Sequence, residues 1–132
     1  MHILLDLSKK DLVHLALFDA DSIEHKTYPG QNRELLLCLE QFLHEKNLSK
    51  KDVHGIMVVV GSGGFTSTRI AVVVANSFTY VWGIPVLAIT LDQVNIVQQL
   101  IPALITQPKG QYISATYSAE ANIGKGKMVF GD

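Results

Sequence analysis

The order of apolar segments predicts an α/β domain built on one mixed sheet, with three antiparallel strands first and helices alternating with strands after them. Three observations carry that prediction. Short extended runs separated by turn residues fill the first thirty positions. Helix-period segments then alternate with compact β-branched runs. No stretch is both long and polar enough to divide the 132 residues into two domains.

The elements follow in order. Ile3 to Leu7 is apolar, Leu12 to Phe18 alternates, and Ser22 to Tyr28 follows the Asp19-Ala20-Asp21 turn. Two successive hairpins make a meander, which Pro29-Gly30 ends. From Asn32 to about Lys46, Leu35, Leu39, Phe42 and Leu43 fall on one helical face with Leu36 at its margin. Ser49-Lys50-Lys51-Asp52 suits a capped helical turn. Ile56 to Val60 has no polar side and reads as a strand covered on both faces. The glycines from Gly61 to Gly64 interrupt it. A second helix runs from about Thr66 to Trp82 and stops at Gly83, with Pro85 beyond. Val86 to Ile89 is a strand, and a third helical stretch runs from Leu91 toward Leu100. Tyr112 to Tyr117 and Lys127 to Phe130 are expected as two late strands, residues 119–132 forming a terminal turn and strand.

Composition narrows the function. Hydrophobic residues are 48% and charged residues 17%, a balance that favours a buried core over disorder. A net charge of -1 argues against a broad nucleic-acid face. The single cysteine, Cys38, lies between two leucines and fits a buried thiol in a reducing, cytoplasmic setting. The apolar stretch from Ile70 to Leu91 is broken by Asn76, Ser77, Thr79 and Gly83-Ile84-Pro85, so no membrane span is expected.

No catalytic or metal centre emerges from spacing. His2, His14, His25, His44 and His54 form neither His-x-x-x-His nor His-Glu-x-x-His, and each is expected as a surface or strand-edge residue. There is no Gly-x-Ser-x-Gly elbow. Gly61-Ser62-Gly63-Gly64 lies between a buried strand and a helix start, where free amides can hold an anion. The phosphate-binding and dinucleotide fingerprints both fail, because their next fixed residue would fall at Thr66.

The second helix is the most telling element. Between Ile70 and Trp82 it carries no charged residue. At 100° per residue, Ile70, Val74, Phe78 and Val81 form one face, read as the core side. Val72, Val73, Asn76 and Tyr80 form the other, read as a face that a partner covers. On the first helix, Leu37 lies at the edge of a polar side near Glu34, Gln41 and His44. Two adjacent helices with apolar outer faces predict packing against an equivalent helix pair. Arg69, at the start of the second helix, pairs with Asp6 or Asp92 or reaches across that interface.

Residues 61–71, Gly-Ser-Gly-Gly-Phe-Thr-Ser-Thr-Arg-Ile-Ala, resemble the G-P-G-S-F-T-G-L-R-I-G signature of the TsaB-like, glycoprotease-related family. Gly61, Gly63, Phe65, Thr66, Arg69 and Ile70 match it. Four further features agree in order: Ile3-Leu4-Leu5-Asp6 with I-L-A-I-D, Leu48-Ser49-Lys50-Lys51-Asp52 with L-S-x-x-D, Gly83-Ile84-Pro85-Val86 with G-I-P-L, and Lys109-Gly110-Gln111-Tyr112 with R-G-E-V-Y. Ser62, Gly64, Ser67 and Ala71 depart from the signature, and Gln31-Asn32 stands where a His-Ser pair is common.

The resemblance implies an RNase H-like lobe of the actin/sugar-kinase superfamily, with residues 1–132 as a first lobe and no second lobe. It implies a non-catalytic subunit in tRNA threonylcarbamoyladenosine synthesis, with no cofactor of its own. Its partner would be a TsaD-like catalytic subunit, which carries the metal-binding His pair missing here. The chain would be a homodimer when alone and would meet tRNA only through the complex. The interface would comprise Glu34, Leu37, Gln41, Arg69, Val72, Val73, Asn76 and Tyr80. Asp6, Gly61, Gly63, Gly64 and Thr66 would be a vestigial nucleotide or anion site. A nucleotide-binding lobe of an actin- or kinase-like ATPase, and a self-associating structural domain, remain the alternative readings.

Overall fold

The computed structural model describes residues 1–30, 34–61 and 65–107, with the backbone alone for residues 50 and 65–67. Five strands form one sheet: β1 (His2–Asp6), β2 (Leu12–Phe18), β3 (Ile23–Pro29), β4 (Gly55–Val59) and β5 (Val86–Ile89), in the order β3-β2-β1-β4-β5. β1–β2 and β2–β3 are antiparallel, while β1–β4 and β4–β5 are parallel. This is the mixed sheet expected, with three meander strands followed by helix-linked ones. The hairpin turn between β2 and β3 is held by Asp19, whose Oδ1 accepts from the amides of Asp21 (2.8 Å) and Ser22 (2.9 Å). Interior strand β4 is buried at every position, as its unbroken apolar run requires.

Helices α1 (Leu35–Glu45) and α2 (Phe65–Trp82) cover one face of the sheet. Ile3, Leu5, Leu15, Leu17, Ile56 and Val58 point up into them. α1 ends where Asn47 takes the left-handed conformation (φ 57°) and Leu48 N–H returns to the Leu43 carbonyl at 3.0 Å. α2 ends the same way at Gly83 (φ 66°), whose amide donates to Thr79 O at 2.9 Å. The buried thiol of Cys38 belongs to this layer.

The opposite face is covered by a 3₁₀ segment, Leu91–Leu100, kinked at Ile96, and by a short helix α3 (Ile101–Ile105). The stretch expected to reach toward Leu100 thus continues one helix further, with Pro102 in the first turn of α3 where its missing N–H costs nothing. Val97, Leu104 and neighbouring side chains seal Leu4, Ala16, Phe18, Met57, Val59 and Ile89. Leu104 comes so near β4 that a Cβ on Gly55 would stand 2.7 Å from its Cδ2. The two late strands expected at 112–117 and 127–130, with the terminal turn and strand at 119–132, lie outside the described residues.

Candidate partner-binding face and a carboxylate–histidine corner

On α2 the residues that turn inward are the small ones. Thr68, Ala71, Val72, Ala75 and Thr79 are buried, at the three-and-four spacing of a single face. Val72 is 2% exposed, so it belongs to the core and not to the partner face expected for it. The physical reason is close approach: α2 lies directly over β4 and β1, and only a slim face fits there. The large residues are displaced to the flanks and the outside. Ile70, Val74, Phe78 and Trp82 are half-buried at the margin, and Phe78 stacks on Trp82 with ring centroids 4.4 Å apart. Val81, read as a core residue, is 71% exposed. Val73 (61%) and Tyr80 (72%) stand outward as expected, with Asn76 half-buried beside them and Arg69 exposed one turn earlier.

α1 runs alongside and continues the apolar surface. Leu37 is 64% exposed, and Leu36, placed at the core margin by periodicity, is exposed too. Glu34 and Gln41 are exposed on the same helix, the Gln41 amide donating to Glu45 Oε2 at 3.2 Å. The outer faces of the helix pair therefore carry Leu36, Leu37, Val73, Tyr80 and Val81, large apolar side chains in water. Leu36 and Val81 escaped the sequence reading. On the helical wheel Val81 falls between the half-buried Ile70 and Val74, so periodicity alone does not single it out.

Asp6 lies at the end of β1 and is 5% exposed. Its Oδ1 accepts from Ser8 N–H at 2.9 Å and its Oδ2 from His14 Nδ1 at 2.9 Å. Burial pushes the carboxyl up, yet these hydrogen bonds, His14's foremost, outweigh it and hold the group below the ordinary carboxylate value. His14 Nε2 in turn stands 2.9 Å from His25 Nδ1, the rings nearly parallel with centroids 5.1 Å apart. Two of the five histidines are thus paired across β2 and β3. Spacing along the chain could not show it, because His14 and His25 are eleven residues apart and meet only through the hairpin register. Among the described residues no group of three or more His, Cys, Asp and Glu side chains is placed to hold a metal.

A magnesium–nucleotide ion at Asp6, implied by the superfamily, finds a poor fit in these residues. The carboxylate is buried, and each of its oxygens already accepts a hydrogen bond from the chain itself. Gly61 (φ 82°) begins the neighbouring turn in a conformation suited to glycine. Gly63 and Gly64 lie outside the described residues, and Thr66 is placed in the first turn of α2 by its backbone alone. Among the described residues no helix is long and apolar enough to cross a membrane.

Comparison with known proteins converges on one family. The family model described as TsaD, tRNA N6-adenosine threonylcarbamoyltransferase, matches residues 30–119. Among solved structures, YeaZ from Pseudomonas aeruginosa superposes with a TM-score of 0.59 at 26% identity, over 67% of this chain and 43% of that one. A structure described as an uncharacterized protein with similarity to peptidase YEAZ from Pseudomonas aeruginosa gives 0.60 at 25% identity, over 68% of this chain and 44% of that one. The chain thus spans less than half the length of either neighbour. No curated protein gives a significant match. With the model covering more than half of the sequence and the five-stranded RNase H-like lobe in place, the chain belongs to the TsaD family and resembles its TsaB-like, YeaZ-type members.

Proposed function

We propose that this chain is a non-catalytic partner subunit for a TsaD-type enzyme in tRNA threonylcarbamoyladenosine modification. It docks through the outer faces of α1 and α2. The observation that carries the reading is the exposed apolar strip of Leu37, Val73, Tyr80 and Val81 on a helix pair whose longer member has no charge between Ile70 and Trp82. A helix face left to water normally carries charged residues; this one carries the side chains of an interface core. The TsaD-family match supports the choice of a TsaD-type partner.

In this reading Glu34, Gln41, Arg69 and Asn76 are the polar edge of the contact, and Leu37, Val73 and Tyr80 its centre. Alone, the chain pairs with a second copy by the same strip. tRNA is met only through the complex, and no cofactor is assigned to this lobe. The second reading, an ATPase lobe, is disfavoured by the engaged Asp6 carboxylate. The test is co-purification with a TsaD-type subunit, for the native chain and for Val73→Glu. Val73→Glu should stay folded while losing the complex, because an unpaired carboxylate in the interface costs several kcal/mol of association, about a hundredfold or more in affinity. A folded Val73→Glu protein that still binds the subunit as the native chain does would remove this interface.

A further inference from the structure

By strand alternation, Asp6, His14 and His25 share the sheet face of Leu4, Ala16 and Ile23, opposite the face that α1 and α2 cover. Asp6 is ionised and can only accept, so the hydrogen it shares with His14 sits on His14 Nδ1. The neutral His14 ring then has its lone pair on Nε2, and His25 Nδ1–H donates to it head-on at 2.9 Å. β1, β2 and β3 are thereby tied by one directional chain of hydrogen bonds. It runs from a carboxylate 7% exposed, through a ring 20% exposed, to an exposed ring on an edge strand. On these two rings the acceptor left open to water is His25 Nε2. Among the described residues the neighbouring charges are turned elsewhere. Glu24 and Lys26, which flank His25, meet Lys46 and Glu45 of α1 on the other face. On the near face, the 3₁₀ segment and α3 carry a single charged residue, Asp92, which accepts from Thr90 Oγ1 at 2.5 Å. Lys9, Lys10 and Asp11 stand in water in the β1–β2 turn.

We propose that Asp6, His14 and His25 form a proton-operated latch on the meander, which stays closed with one added proton and opens with two. The first proton enters at His25 Nε2, and the hydrogen on His25 Nδ1 passes to His14 Nε2 across the bond between the rings. The positive charge then resides on His14 beside the Asp6 carboxylate, and His25 is neutral in its other tautomer. The inter-ring hydrogen bond persists with its direction reversed, so the Asp6 corner is neutralised from the surface without moving a side chain. A second proton would have to take His25 Nδ1, now the acceptor of that bond. Two N–H groups would face each other, with two cationic rings 5.1 Å apart, so the chain breaks and His25 turns to water. Burial, and then the neighbouring His14, lower the pKa of His25, which is the sign this opening requires. A histidine with a depressed folded value favours folding fully above its ordinary 6.5, and the contribution is lost as pH falls through the folded value. The latch thus holds β3 to β2 at neutral pH and releases it in acid. It is independent of the α1/α2 partner reading, since it lies across the sheet from those helices.

The experiment is a titration of the full chain from about pH 8 to about pH 4, followed by the ring ¹⁵N shifts of its histidines and the ¹⁵N–¹⁵N coupling across the inter-ring hydrogen bond. At the upper end both rings should carry hydrogen on Nδ1. Below it they should titrate as a pair, both signals moving in each of two steps, with the coupling kept through the first step and lost in the second. His25→Ala, an exposed change that leaves the fold intact, should reduce His14 to a single step. Asp6→Asn should lower the affinity of the pair for its first proton by about tenfold, roughly one pH unit. His44→Ala, on the exposed side of α1, should leave both steps in place. The proposal is overturned if His14 titrates in the same single step with and without His25, or if the inter-ring coupling is absent at neutral pH.

Discussion

α1 and α2 lie side by side on the same face of the same sheet and solve the packing problem in opposite ways. α1 turns large residues inward: Leu35, Leu39, Phe42 and Leu43 are buried, and its outer side mixes Glu34, Glu40 and Gln41 with the exposed Leu36 and Leu37. Its last turn is also tied to the meander, by Tyr28 Oη donating to Glu45 Oε1 at 3.2 Å and by Lys46 to Glu24 at 3.2 Å. α2 turns inward Thr68, Ala71, Ala75 and Thr79 with one valine, and sends Val73, Tyr80 and Val81 outward. The burial energy of α1 is collected within the domain, at about 25 cal/mol per Å² of apolar surface removed from water. Much of what α2 could collect is left uncollected. That difference is what the proposed docking asks of α2, with Leu36 and Leu37 of α1 beside it.

The sharpest way to break the comparison is to place one charge on each side of α2. Val72→Glu buries an unpaired carboxylate against β4 and should cost more than about 4 kcal/mol, enough to unfold a domain of ordinary stability. Val81→Glu should change stability by no more than about 0.5 kcal/mol, because its side chain already lies in water. Chemical denaturation of the two variants measures both. Equal destabilisation would mean that α2 is rotated from the orientation described. A smaller effect tests the close approach itself. Ala75→Leu adds three carbons where α2 meets the sheet and should cost about 1–3 kcal/mol. A neutral result would show slack under α2 and remove the reason for its small inner face.

How much of this was legible depends on which helix is read. Hydrophobic periodicity places the inner face of α1 correctly, at Leu35, Leu39, Phe42 and Leu43, and misses only the exposure of Leu36 at its margin. On α2 the same rule weights Ile70, Val74, Phe78 and Val81 as core and passes over the alanines, although burial here follows smallness. Val72 and Val81 were exchanged between faces for that reason. The strands were legible almost to the residue, since β2 and β5 fall at Leu12–Phe18 and Val86–Ile89 as the alternation and the apolar run predict. The Asp6–His14–His25 corner was not, because it exists only after two antiparallel registers are set. A cross-strand neighbour is invisible to any motif written along the chain.

The smallest expected effect concerns the polar seam that α1 has with the meander. The Tyr28 hydroxyl is pushed up from 10.0 to about 12, by burial first and then by the charge of Glu45 beside it. A phenol whose folded-state pKa exceeds its unfolded value favours folding fully below pH ~10, and the advantage drains away as pH rises from 10 toward 12. In that window the unfolded chain has ionised its tyrosine while the folded chain still holds the proton, so unfolding releases it. Tyr28→Phe removes the titration and forfeits only a hydrogen bond to an exposed carboxylate, about 0.5–1.5 kcal/mol below pH 10. Stability curves of the native chain and Tyr28→Phe should therefore run nearly parallel from neutral pH to pH 10 and converge or cross above it. Parallel curves through pH 12 would show that neither burial nor Glu45 raises the Tyr28 pKa in the folded chain. The Lys46–Glu24 pair would then remain as the polar tie between the end of α1 and the meander.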